Sequence, residues 1–144
     1  HTFRLAAQRI AGYATDRPCV AGGGILALAA DGTVYPCEHF VGVAGLAMGR
    51  VDEADFPGAH FQMVAARFDG CTTSARPRCN ACDVREACGG QCYAEAYLAT
   101  GAIERPSADH CALVKNIFHV IEPELARGLD NTEQAGRLRQ AVGG

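Results

Sequence analysis

Four cysteines within fourteen residues form the densest group of reactive side chains in this sequence. The stretch CNACDVREACGGQC contains Cys79, Cys82, Cys88 and Cys92 in the spacing C-x2-C-x5-C-x3-C. Cysteine thiolates are soft ligands for zinc and for iron–sulfur clusters, and a C-x2-C pair can bind one metal centre through a tight turn. The stretch therefore predicts a metal or cluster site.

The chain has eight cysteines in all, and the other four are Cys19, Cys37, Cys71 and Cys111. A zinc site usually pairs one C-x2-C with a second C-x2-C or with two histidines, and the C-x5-C-x3-C half does not provide that pairing. A disulfide framework fits an even count, but residues two or three apart are awkward disulfide partners and no signal peptide is visible. Two metal centres with ligands from both halves of the chain account best for the eight thiols.

A β-hairpin is predicted to bring two of the distant cysteines together. The segments ILALAA and TVYPC flank Asp31-Gly32, a pair preferred in two-residue turns where both positions need positive φ. Cys19 precedes the first arm and Cys37 ends the second. The hairpin would therefore place these two thiols near one another.

Apolar residues at helical spacing predict several helices around the hairpin, over residues 3–14, 57–69 and 84–99 and from near Cys111 onward. Ser107 or Asp109 is expected to cap the last of these helices, and Pro123 to kink or break it. Residues 131–142 are polar and are also predicted to be helical.

The predicted helix over 84–99 would place Cys88 and Cys92 one turn apart on the same face. The segments 38–56 and 70–83 are predicted to be loops that contribute little to the core. Together with the hairpin, these elements predict a small α+β domain.

Composition and charge argue against two classes of partner. The 144-residue chain has a net charge of −3 and no basic run, which does not favour a nucleic-acid surface. The longest apolar run, ILALAA, is far shorter than a membrane span. Because metal-binding thiolates need a reducing compartment, we expect a cytoplasmic protein without nucleic-acid or membrane partners.

Seven of the cysteines and one glycine follow a longer pattern. The chain reads C-x12-G-x4-C (Cys19, Gly32, Cys37), then C-x2-C-x5-C-x3-C, then a final Cys111. This pattern resembles the SPASM domain, the C-terminal auxiliary-cluster module of radical S-adenosylmethionine peptide maturases. The segments DGTVYPCEHFVG, MGRV and CGGQCYAEAYLATGAIERP are also similar to that group, which includes thioether-forming peptide maturases and anaerobic sulfatase maturases.

The resemblance implies a hairpin, several helices and loops wrapped around two 4Fe–4S clusters. In the family's pattern the second auxiliary cluster is bound by the residues matching Cys79, Cys82, Cys88 and Cys111. The first is bound by those matching Cys19, Cys37 and Cys92. Fully ligated members supply a fourth ligand from just upstream of the hairpin, where residues 13–18 of this chain contain no cysteine.

Cys71 is the remaining cysteine, and we expect it to be the fourth ligand of the first cluster. The alternative is an iron with an open position that binds a substrate thiolate, in which case Cys71 is a spare loop cysteine. Glu38 directly follows Cys37, where sulfatase maturases place an aspartate thought to act as a base. Glu38 is therefore a candidate catalytic base, and the alternative is a solvated glutamate at the end of a strand.

The radical-generating motif C-x3-C-x2-C does not occur, because the position three after Cys92 is Glu95. S-adenosylmethionine is therefore expected only in a barrel domain upstream of this chain. The predicted organisation is a linking helix at 1–16, the auxiliary-cluster domain at 17–125 and a helical tail at 126–144.

The expected role is electron acceptance or substrate binding within a radical S-adenosylmethionine oxidoreductase of ribosomal peptide (RiPP) biosynthesis. The expected partners are the upstream barrel, a peptide or protein substrate and an electron-transfer protein. Two alternatives remain at this point: a stand-alone ferredoxin-like electron carrier, and a zinc-stabilised interaction module.

Overall fold

The computed structural model of this chain describes residues 15–129. The helices predicted at 3–14 and 131–142 lie outside this range. Within it, a three-stranded antiparallel sheet combines with five α-helices and two short 3-10 helices. The predicted small α+β class is therefore confirmed.

The sheet contains β1 (Ala27–Leu28), β2 (Thr33–Tyr35) and β3 (Gly49–Arg50), in that order. Ala27 lies opposite Tyr35 across the first pair, which confirms the predicted hairpin. The third strand was not predicted, and it pairs with the other edge of β2.

The hairpin turn differs from the predicted two-residue turn. It spans Ala29 to Gly32, and the Gly32 N–H donates to the Ala29 carbonyl at 3.0 Å. Among the turn residues only Gly32 has a positive φ, of +85°. The Asp31 carboxylate accepts a hydrogen bond from the Thr33 N–H at 2.9 Å, which stabilises a longer turn without a left-handed Asp31.

The segment 38–56 contributes to the core, so the prediction of a peripheral loop there was wrong. It forms 3-10 helices at Glu38–Phe40 and Ala44–Leu46 and then β3. Phe40, Leu46 and Met48 are each only 1% exposed. Full burial of such a side chain stabilises a fold by roughly 1.5–3 kcal/mol. Here the buried side chains belong to short irregular elements, whose sequence has no regular apolar period.

The five helices are α1 (Ala59–Asp69), α2 (Pro77–Asn80), α3 (Arg85–Cys88), α4 (Tyr93–Thr100) and α5 (Ala108–Leu129). Helix α1 confirms the prediction for 57–69, with Val64 and Phe68 buried on one face. At the start of α5 the Ser107 hydroxyl accepts a hydrogen bond from the His110 N–H at 3.2 Å, so Ser107 is the cap. The helix continues through Pro123, which is therefore not a break.

The single helix predicted over 84–99 is wrong, because α3 and α4 are separate. Gly89 and Gly90 lie between them with φ of +63° and +94°, values that side chains other than glycine rarely adopt. Gly89 ends α3 as a left-handed cap, and the chain then turns before α4 begins.

Two hydrophobic clusters fill the interior. The first joins the sheet, α1 and α4, where the Phe68 ring makes edge-to-face contacts with Phe40 and Tyr93 at centroid distances of 5.5 and 5.3 Å. The second lies between α3 and α5 and consists of Val84, Ala87, Val114 and Phe118.

Asp16 holds the loop that precedes α2 in place beside the first hydrophobic cluster. Its carboxylate accepts hydrogen bonds from the Thr73 hydroxyl and from the Ser74 N–H and hydroxyl. Cys71, Thr73 and Arg76 are each buried, so the prediction that 70–83 adds little to the core was also wrong.

Candidate metal centre

All eight cysteines carry free thiols in the described residues, and each is buried or half-buried. Burial of a thiol without a partner is unfavourable for its ionised form, so thiolates at these positions need a cation or a metal. The eight therefore form a set of sheltered soft donors rather than a disulfide framework.

One group of thiols surrounds a cavity beside the second hydrophobic cluster. The cavity measures about 240 Å³, and its lining includes Cys79, Cys82, Cys88 and Cys111. Burial raises the pKa of Cys88, and the neighbouring thiols of Cys111, Cys79 and Cys82 raise it further. We call these four residues the cavity group.

Short local elements position the cavity group. Cys79 lies in α2, Cys82 in the turn that follows, Cys88 at the end of α3 and Cys111 in the first turn of α5. The Cys82 N–H donates to the Cys79 carbonyl at 2.9 Å, which is the tight turn expected between the members of a C-x2-C pair.

The lining of the same cavity carries positive charge. Arg78, Arg85 and Lys115 line it together with the four thiols, while Lys115 pairs with Asp83 at 3.1 Å and Arg85 with Glu86 at 3.4 Å just outside the lining. Nearby cations favour the thiolate form of cysteine and offset the negative charge of a thiolate-bound metal centre. Four thiols around one cavity are a donor set of the kind that zinc and 4Fe–4S clusters both use.

A second group of thiols lies beside the hairpin and adjoins the first hydrophobic cluster. Burial raises the pKa of Cys37; Glu38, Cys92 and Cys19 raise it further, while the His39 N–H lowers it. Burial likewise raises the pKa of Cys19, and Cys92 is among the neighbours that raise it further. We call Cys19, Cys37 and Cys92 the hairpin group.

Backbone N–H groups are placed beside three of the thiols in the same way. The N–H of the residue two positions later lies beside the sulfur of Cys19, Cys37 and Cys88, and each such hydrogen bond lowers the pKa of its thiol. Hydrogen bonds to ligand sulfurs are one of the means by which proteins stabilise iron–sulfur clusters. Both groups therefore have preformed donors toward their sulfurs.

Cys71 belongs to the same hydrophobic cluster as the hairpin group. Its thiol lies 3.6 Å from the Ile103 carbonyl and 3.2 Å from the Arg76 guanidinium. Burial raises its pKa, and the charges that act on it belong to Arg76, Glu104 and Arg67. Cys71 thus lies in the same hydrophobic cluster as the hairpin group, but Arg76, Glu104 and Arg67 are its charged neighbours. Its role as a fourth ligand remains a prediction.

Glu38 lies near the thiols of the hairpin group, and its charge raises the pKa of Cys37 and Cys19. Its side chain is 72% exposed, and its Oε1 lies 3.7 Å from Nε2 of His39. A substrate could reach this carboxylate from solvent, although it lacks the shelter from water that a strong base would have.

No cluster of three or more Cys, His, Asp or Glu side chains within residues 15–129 is already arranged to hold a metal ion. The thiols of each group are neighbours, and closure around a metal would complete the coordination, since metal binding and local folding are coupled. Among the described helices, none combines the length and the apolar composition needed to cross a bilayer.

Arg76 and Tyr93 are site residues that sequence analysis did not indicate. Tyr93 is 1% exposed, and its hydroxyl donates to the Cys71 carbonyl at 3.0 Å. Burial raises the pKa of Tyr93 to about 12. The Arg76 guanidinium lies over the Tyr93 ring at 5.2 Å, so the two side chains hold the loop around Cys71.

No protein-family model matches the chain. An uncharacterized protein from Archaeoglobus fulgidus is 30% identical over 113 residues, an alignment that covers 77% of this chain and 26% of that protein. The chain therefore spans about a quarter of the length of this relative.

Proposed function

We propose that this chain is an auxiliary domain that binds two 4Fe–4S clusters and serves a radical S-adenosylmethionine peptide maturase. The observation that supports this proposal best is the division of seven cysteines into a cavity group of four and a hairpin group of three. The same division follows from the resemblance to the SPASM domain, in which the last cysteine of the dense stretch serves the other cluster.

The cavity group provides four thiolates, which is a complete ligand set for one 4Fe–4S cluster. The hairpin group provides three, and we propose Cys71 as its fourth ligand because it lies in the same hydrophobic cluster. A single zinc ion needs only four ligands, so it would leave half of these thiols without a role.

Bound clusters would supply one-electron acceptance during oxidation of a substrate side chain. The residues of this chain would hold the thiolates, exclude water from the cavity and present Glu38 toward solvent as a proton acceptor. We propose that the substrate is a peptide or protein, and that the barrel which binds S-adenosylmethionine lies on an upstream domain. An electron-transfer protein would return the clusters to their resting state, and the cytoplasm is the proposed location.

Metal and sulfide analysis of anaerobically purified protein tests the proposal. We expect a brown protein with about eight iron and eight sulfide ions per chain. Colourless protein with zinc and no sulfide would overturn it in favour of a zinc-stabilised interaction module. About four irons per chain would overturn the two-cluster arrangement.

The role of Glu38 needs a separate test in the full-length enzyme. Because the Glu38 side chain is exposed, Glu38→Gln should leave iron and sulfide content unchanged. It should slow substrate oxidation if the carboxylate accepts the proton, with Glu53→Gln as a matched control on an exposed glutamate in the same region. Equal rates for both variants would remove Glu38 from the reaction.

A further inference from the structure

The Arg76 side chain is almost completely buried. It is only 3% exposed, and its Nη2 donates to the Cys71 carbonyl at 3.0 Å and to the Cys71 sulfur at 3.2 Å. Its Nε and Nη1 are also buried, and neither has a hydrogen-bond partner among the described residues. A guanidinium in this situation has donors available for an anion.

The surroundings of Arg76 are shaped to hold it. The guanidinium lies over the Tyr93 ring at 5.2 Å. A Cβ atom at Gly90 would come within 2.9 Å of Nη1, so the glycine leaves room for the charge. Gly90 lines the cavity, so the unpartnered Nη1 lies close to its wall.

Carboxylates do not neutralise this charge within the described residues. The charge of Arg76 reaches Glu104, but that carboxylate is held by Arg67 in two hydrogen bonds of 2.7 and 3.1 Å. The other groups near the Arg76 charge are two thiols, Cys71 and Cys79. Because a buried charge is stable only when it is paired, Arg76 is suited to offset the negative charge of a metal centre bound by these cysteines.

Arg76 therefore lies between one thiol of each predicted cluster. Cys79 belongs to the cavity group, and Cys71 lies in the core of the hairpin group. Reduction by one electron adds a negative charge to a cluster site, and a fixed buried cation nearby favours that reduced state.

We propose that Arg76 is the positioning residue that compensates the negative charge of the thiolate sites beside it and raises the reduction potential of at least one of the two clusters they hold. This inference rests on the proposed two-cluster function. In this inference, a residue that is not a cluster ligand sets part of the reduction potential.

The test compares Arg76→Gln, Arg76→Lys and the control Arg50→Gln in protein reconstituted anaerobically with iron and sulfide. Arg50 is an exposed cation of the sheet that pairs with Asp52, so its removal changes net charge by the same amount away from the thiols. Dithionite supplies the electron in redox titrations followed by electron paramagnetic resonance, and iron content and thermal unfolding are measured on the same samples.

Arg76→Gln should shift the midpoint potential of at least one cluster to a more negative value. Arg76→Lys should give a smaller shift in the same direction, because it keeps the charge but loses the planar fork of donors. Arg50→Gln should leave the potentials unchanged. A merely structural role would lower the unfolding temperature of the Arg76 variants without moving the potential of the clusters that they retain.

Unchanged potentials in Arg76→Gln protein that carries full iron would overturn the inference and leave the two-cluster function intact. Where Arg76→Gln does not load its clusters, the neutral variant Arg76→Met takes its place, and an unchanged potential in that variant overturns the inference. Wild-type protein without iron and sulfide would overturn the proposed function, and this inference with it.

Discussion

Cys88 and Cys92 are four positions apart in the chain and face different groups of thiols. The thiols of Cys79, Cys82 and Cys111 raise the pKa of Cys88, whereas the thiol of Cys92 raises the pKa of Cys19 and Cys37. Gly89 and Gly90 lie between the two cysteines with positive φ values, and they end α3 before α4 begins.

Substitution of these two cysteines should remove different clusters. Cys88→Ala should lose about half of the bound iron and keep the cluster of Cys19 and Cys37, and Cys92→Ala should do the reverse. Iron analysis and electron paramagnetic resonance of the two variants distinguish the remaining clusters. The assignment is wrong if either variant loses only the cluster that we assign to the other residue.

Cys71→Ser tests the fourth ligand of the hairpin group. A hard oxygen would replace a soft thiolate, so we expect lower occupancy or a shifted potential of that cluster. The variant should also bind an added small thiol at the exposed iron, and the wild-type protein should not. Unchanged iron content and spectrum in the variant, with thiol binding by the wild type, would show that Cys71 is not a ligand.

Removal of iron should unfold one part of the domain more than the other. The cavity group is positioned by the short helices α2 and α3, which have few hydrogen bonds of their own, so the parts of 79–111 outside α4 should lose amide protection in chelated protein. The sheet and α1 should retain protection, because Phe40, Leu46, Met48 and Phe68 form a core beside them. Native protection across 79–111 in metal-free protein would contradict this expectation.

Asp16→Asn should release the loop that carries Cys71. Hydrogen bonds from Thr73 and Ser74 lower the pKa of Asp16 to about 2, so the group is ionised at neutral pH. Because Asp16 is exposed and solvent screens its charge, loss of these hydrogen bonds should cost about 1 kcal/mol, measured as the free energy of unfolding in urea.

The stabilisation by the Asp16 carboxylate depends on pH in one direction. A carboxylate with a lowered pKa contributes stability above its unfolded value near 4, and this contribution disappears as the pH falls through about 2. The difference between wild type and Asp16→Asn should therefore be constant from pH 5 to pH 8. The control Asp69→Asn removes an exposed ion pair with Arg17 and should cost well under 1 kcal/mol; an equal cost for both variants would argue against a special role of Asp16.

The sequence predicted the elements that have a regular pattern or a specific turn residue. Asp31-Gly32 indicated the hairpin, and the spacing of Val64 and Phe68 indicated α1. It did not predict β3, since a strand of two residues has no measurable alternation. Gly89 and Gly90 lie inside an otherwise helical pattern, and glycine there does not by itself show that one helix ends and another begins.

Within the candidate site, the hairpin predicted from Asp31-Gly32 is present, whereas the single helix that would have put Cys88 and Cys92 on one face is not. The division of the cysteines between two clusters, which the resemblance implies, stays a prediction. Arg76 was not predicted, because arginine side chains are exposed in most proteins and nothing in the spacing around Arg76 indicates burial. Its burial depends on the Tyr93 ring and on the absence of a side chain at Gly90, both of which are distant contacts that only the fold shows.

The short path from Cys88 to Cys92 also sets a limit on distance. Four peptide units can extend to at most about 14 Å, so the two ligand sets are joined by a tether of fixed maximum length. Clusters bound by the two sets would therefore be held within a limited distance of one another, which favours electron exchange between them. Residues inserted between Cys88 and Cys92 would lengthen this tether and weaken electron exchange between the two clusters, without changing a single ligand.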